Sequence, residues 1–213
     1  MGGPVRVTVR APSAADVTAV TLQLGRAPRG LLGVAHHCPC GLPDVVETAP
    51  RLPDGTPFPT LYYLTCPRAV AAVGRLEAEG LMREMTQRLA AEPGLRQAYL
   101  AAHRDYLARR DEAARASGVE PLPPGTPSAG GMPDRVKCLH ALVAHELAVP
   151  GTSPLGREAL LAAGEWWRAG RCVSEPTGRG AAWSEEQGES EGASRAPAGE
   201  REHRTSDEGR RRQ

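Results

Sequence analysis

Beyond Cys172 the chain has almost nothing with which to build a core. Residues 173–213 hold only Val173 and Trp183 as large apolar side chains, among Glu, Arg, Gly, Ser and Ala. Such a stretch cannot bury enough apolar surface to offset an ordering cost of ~1–2 kcal/mol per residue. It is expected as a disordered polar tail, and the fold must come from the residues before it. The domain is placed at residues 12–170 of the 213, enough for a single core.

Within that span the apolar spacing changes from helix to strand and back. Val17, Val20 and Leu24 line one face of a helix over residues 12–24, with Ser13 or Asp16 as its cap and Gly25 as its stop. Short apolar runs at Leu31–His37, Val45–Thr48 and Thr60–Thr65 read as strands. Helical spacing returns after Pro67: Val70, Val73 and Leu76 up to Gly80, then Leu81 to Leu89, then Leu95, Tyr99, Ala102 and Tyr106 running into Arg109–Arg115. The Pro- and Gly-rich residues 117–133 form a long loop. Asp134 to Leu147 is apolar on more than one side and is expected as a central helix capped by Asp134. A last helix spans Leu155 to Arg168. The fold class is α+β: a small antiparallel three-stranded sheet packed against five to six helices.

Composition excludes more than it indicates. The formal net charge is +1, so no global field points to nucleic acid or an anionic membrane. No apolar run is long enough to span a bilayer, and residues 1–11 lack the pattern of a secretory signal. The expected location is the cytoplasm. Ile and Asn are absent and Lys occurs once, at Lys137, while Ala, Gly, Pro and Arg abound. That is the bias of a GC-rich genome, so the many Arg carry little functional weight.

The chemistry concentrates in Cys and His. Five Cys, an odd number, argue against a disulfide framework and leave metal binding, catalysis or burial. In a three-stranded meander the first and third strands run the same way. Cys38 and Cys66 then leave the same sheet edge ~10 Å apart, and Cys138 at the start of the central helix supplies a third thiol. Zinc or an iron–sulfur cluster is the expected cofactor. His140 is the fourth candidate ligand, with Cys40 and His145 as alternatives. Each has a difficulty. Cys138 and His140 lie about 200° apart on a regular helix and converge only if its start is irregular. His145 is ~10.5 Å along the axis from Cys138. Cys38-Pro39-Cys40 is one residue shorter than a zinc knuckle.

A second constellation is the Gly-rich approach Gly130-Gly131-Met132-Pro133-Asp134-Arg135 to the central helix. With Arg51, Arg135 and Lys137 it forms a candidate anion site, although the phosphate-loop pattern is missing.

Three long motifs occur in order. They are His37-Cys38-Pro39-Cys40-Gly41-Leu42-Pro43, then Pro50 through Pro67, then Gly130-Gly131-Met132-Pro133-Asp134-Arg135-Val136-Lys137-Cys138-Leu139-His140. Together they resemble the signatures of an actinobacterial family, domain-of-unknown-function family five hundred and one, over residues 15–165. The resemblance covers Cys38, Cys66, Lys137, Cys138 and His140, and is weaker at Cys40. It implies no activity that can be carried onto residues. Its gene neighbourhood, a septum-formation initiator and an exopolyphosphatase-like protein, implies a cell-division context and possible partners there.

Three functions compete on these grounds. The first is a metal-binding protein. The second is an enzyme acting on a phosphorylated or anionic small molecule. The third is a non-catalytic interaction module linked to cell division.

Overall fold

Ser13 starts the first helix, as its residue type predicts. The computed structural model describes residues 9–174, and within them α1 runs Ala14–Leu24. The Ser13 hydroxyl accepts the Asp16 N–H at 3.1 Å, and the Asp16 carboxylate accepts the Ser13 N–H at 3.0 Å. This reciprocal box satisfies donors that the helix leaves orphaned. Gly25, at φ 67°, closes the other end. The expected tail lies, from residue 175 on, outside the described residues.

The strands β1 (Leu31–His37), β2 (Pro43–Thr48) and β3 (Tyr62–Leu64) lie in the order β1-β2-β3 with both pairs antiparallel. This is the expected meander. The third strand is shorter than Thr60–Thr65 because the Leu61 N–H goes instead to the Tyr106 hydroxyl of a helix, at 2.6 Å. The 50–59 loop closes on itself through Phe58 N–H to Pro50 O at 2.7 Å, and sets Phe58 against Tyr63 of β3.

The remaining helices are α2 (Pro67–Glu79), α3 (Leu81–Ala91), α4 (Pro93–Ala116), α5 (Leu139–Ala148) and α6 (Pro154–Ala163). Two differ from the sequence reading. The central helix begins at Leu139 rather than Asp134, with Cys138 at its cap position. Residues 135–137 bond outward and backward instead of entering helix: Lys137 N–H to Gly130 O at 2.9 Å, Val136 N–H to the Thr86 hydroxyl at 3.2 Å, and Arg135 O to the Tyr99 hydroxyl at 3.3 Å. The last helix ends at Ala163. Gly164, at φ 68°, breaks it, and a short 3-10 turn holds Trp166–Ala169.

Helix α5 is central, as its apolar pattern predicts. Leu139, Leu142, Val143, Ala144 and His145 are fully buried, and the helix touches all three strands, α2 and α6. The long loop after α4 is held from below. Arg110, 3% exposed, donates to Pro127 O at 3.0 Å and Thr126 O at 2.9 Å.

Glu47 of β2 pairs with Tyr62 of β3 under α4. Burial, then the Glu112 charge, push its carboxyl up to about 7, with Arg109 opposing. The folded chain therefore holds this proton longer than the unfolded chain does. Ionisation opposes folding: the cost is absent below the usual 4.5, grows as pH rises, and is complete above about 7. Glu47→Gln removes it. Urea unfolding of that variant should show roughly 2 kcal/mol more stability at pH 8 and almost none at pH 4. An equal change at both values would contradict the proton-linked cause.

Candidate metal centre

Helix α2 carries a carboxylate on its apolar stripe. Glu77 lies four residues after Val73 and seven after Val70, so it shares their face. That face meets the start of α5. There the Glu77 Oε1 accepts the Leu139 N–H at 2.7 Å and lies 3.1 Å from the His140 Nδ1. The Cys138 sulfur is 3.9 Å from the same nitrogen. One ligand atom from each of Glu77, Cys138 and His140 falls within 4.8 Å of the others.

The irregular start of α5 makes this convergence. Cys138 is extended, at φ −154° and ψ 113°, and is not part of the helix. The ~200° separation that a regular helix would impose is thereby removed. Sequence reasoning paired Cys138 with His140 on that condition and missed Glu77. The signal for Glu77 was a lone carboxylate on a stripe of valines and alanines.

The far nitrogen of His140 fixes the chemistry of the near one. Nε2 lies 3.1 Å from the Val70 carbonyl oxygen. A carbonyl only accepts, so Nε2 carries a hydrogen and donates it. In a neutral ring Nδ1 then presents its lone pair to a carboxylate oxygen and a sulfur. Three donors facing one another need a positive charge between them. A proton supplies it here. The Cys138 sulfur raises the imidazole, burial opposes, and the Glu77 charge adds, for a pKa of about 9. The His140 and Glu77 side chains are 26% and 23% exposed, so the group opens to solvent on one side.

The other expected ligands lie elsewhere. Cys38 and Cys66 are buried, and burial pushes both thiols up to about 12. Cys40 and Cys172 are half-buried and pack against the same core. His145 is fully buried among aromatic rings. It stacks on Tyr62 at 5.9 Å, meets Tyr106 edge-on at 5.3 Å, and lies 3.3 Å from the Asp105 carboxylate. Arg109 donates to the same carboxylate at 2.7 Å.

The expected anion residues are placed as follows. Arg51 donates to Glu120 O at 3.0 Å and to Gly55 O at 3.3 Å. Arg135 and Lys137 are exposed in the turn before α5. Gly131, at φ 81°, leaves the space its Cβ would take to the Lys137 stem, whose Cγ is 2.6 Å from that point. Asp134 does not cap the helix. The carboxylate at the α5 start is Glu77.

Fold and site together define a small α+β protein with a mixed Glu–Cys–His donor set where α2 meets α5. The chain belongs to the family described as protein of unknown function (DUF501), whose model matches residues 34–161. That span includes Glu77, Cys138 and His140 and ends before Cys172. Neither a curated protein nor a solved structure matches the chain. Among the described residues no helix is long and apolar enough to cross a membrane.

Proposed function

We propose that this chain is a metal-binding protein whose ion is held by Glu77, Cys138 and His140. The reading is carried by one observation. The three donors converge within 4.8 Å while the opposite nitrogen of His140 is engaged by the Val70 carbonyl. A ligating histidine is held in that way, with its free nitrogen turned toward the ion by a hydrogen bond at the other. One thiolate, one imidazole and one carboxylate suit zinc, since magnesium and calcium prefer all-oxygen sets. A single thiolate is too few for an iron–sulfur cluster at this position. Three protein ligands leave a fourth position for water or substrate, as in hydrolytic zinc sites.

Untagged full-length protein, purified without chelator and analysed for bound zinc, tests the reading. Cys138→Ser and His140→Ala should each lower the zinc content by about one equivalent relative to the parent chain. The reading falls if both folded variants retain the parent content.

A further inference from the structure

The sheet has two faces, and the main core lies on one of them. Val45, Tyr62 and Leu64 belong to that core, so Val46 and Tyr63, which alternate with them, look the other way. Helix α1 meets β2 on this second face and stops at Leu24, where Gly25 turns the chain. Past that point the face is open, and a cleft of about 130 Å³ lies on it. Val46 and Thr48 of β2 and Tyr63 of β3 make the floor. Leu24 and Pro28 form one wall, and Leu52 and Phe58 the other.

The 50–59 loop is shaped to hold that second wall. The Leu52 N–H bonds Thr56 O at 2.9 Å, and the Phe58 ring stands 6.5 Å from that of Tyr63. The Thr48 hydroxyl donates to Thr60 O at 2.6 Å, so it has no hydrogen left for a ligand. Leu24, Leu52, Phe58 and Tyr63 are half-buried, and none of them packs on the main core. Four large apolar side chains gathered in one open cleft mark a binding site, whereas scattered ones would not. The second sequence motif, Pro50 through Pro67, supplies Leu52, Phe58 and Tyr63, and the Glu77–Cys138–His140 group uses none of it.

Arg26 and Arg29 also line the cleft, and both are exposed. Neither forms an ion pair among the described residues, whereas Arg88, Arg109 and Arg168 all do. Arg26 donates to the neighbouring Ala27 O at 3.2 Å. Asp54 sends its charge toward Arg29, but it is exposed and one of its oxygens accepts the Thr56 N–H at 2.9 Å.

We infer that this cleft binds a small aromatic carboxylate, with its ring against Phe58 and Tyr63 over Val46 and its carboxylate met by Arg26 and Arg29. An apolar cavity of about 150 Å³ holds one benzene ring. This cleft therefore takes a single ring and not a longer chain. Aromatic walls favour a ring, which they meet edge-on or in an offset stack. The planar guanidinium fork matches a carboxylate. The site is separate from the metal centre and does not depend on it.

Amide NMR spectra of the full chain test this with three probes at millimolar concentration. 3-Phenylpropionate should shift the amides of Leu24, Thr48, Leu52, Phe58 and Tyr63. 3-Phenylpropylamine, with the same ring and the opposite charge, and inorganic phosphate, an anion without a ring, should leave them in place. Arg26→Glu with Arg29→Glu should weaken 3-phenylpropionate binding by at least about tenfold. The inference is overturned if no probe moves these amides, if the amine binds as well as the acid, or if the folded double variant binds unchanged. If that variant does not fold, the acid and the amine compared on the parent chain decide. Broadening of the same amides with protein concentration, without any probe, would assign the cleft to a second copy of the chain and overturn the inference. Binding of an acidic peptide with one central Phe at least about tenfold more tightly than 3-phenylpropionate would assign it to a protein partner and overturn it too.

Discussion

Gly156→Ala is expected to destabilise the fold by about 3 kcal/mol, although alanine is the better helix former by ~1 kcal/mol. A Cβ at this position in α6 would collide with the Leu142 carbonyl oxygen of α5. It would also stand 2.6 Å from the Ser153 Oγ and 2.9 Å from the Leu142 carbonyl carbon. None of these atoms can move cheaply. Two are α5 backbone, and the third is the buried hydroxyl that accepts the Gly156 N–H and caps α6. The helices would have to part, and α5 is the helix that presents Cys138 and His140. Urea unfolding of the variant measures the effect. A loss under about 1 kcal/mol would mean that α6 rides on α5 loosely enough to accept a methyl group.

Glu146→Ala is expected to cost about 1–3 kcal/mol, again through the α5–α6 connection. Glu146 is 4% exposed, and its two carboxylate oxygens accept the N–H groups of Gly151 at 2.8 Å and Ser153 at 3.0 Å. Truncation leaves the buried Ser153 N–H without an acceptor, at about 1–3 kcal/mol, while the exposed Gly151 N–H turns to water. Glu146→Gln keeps one carbonyl oxygen and turns an NH2 toward the other donor, so its cost should fall between that of the alanine variant and zero. Thermal unfolding ranks the three proteins. Hydrogen exchange at Gly151 and Ser153 localises the change, and unaltered protection there would sink this account.

The pieces of this fold that were legible in the sequence are those with local causes. Gly25 stops α1 by its left-handed backbone, Pro67 opens α2, and the β-branched and aromatic runs make the sheet. The pieces that were not legible have distant causes. Asp134 looked like a cap because cap preference is local, yet the backbone around it is claimed by Thr86, Tyr99 and Gly130. The start of α5 was set by Glu77, sixty-two residues earlier. Trp166 and Trp167 looked like a helix end because nothing in spacing shows that Gly164 adopts a positive φ there.

The candidate site follows the same rule. Cys138 and His140 were visible as ligand types, and their convergence hung on one irregular residue that sequence could name but not place. Glu77 was hidden by its neighbours, because a glutamate near a helix end is ordinarily solvated. The expected single group of Cys38, Cys66, Cys138 and His140 lies instead at two ends of α2, since a 13-residue helix separates what sheet geometry alone seemed to bring together.

The Leu139 N–H bond to Glu77 has a consequence for how an ion would come and go. The carboxylate is held by the backbone, and the imidazole by Val70, through bonds that do not pass through an ion. Little of the binding free energy would then be spent on ordering ligands, in contrast to domains that fold only around their zinc. An ion at that junction could be traded with a donor or acceptor while the chain around it stays folded.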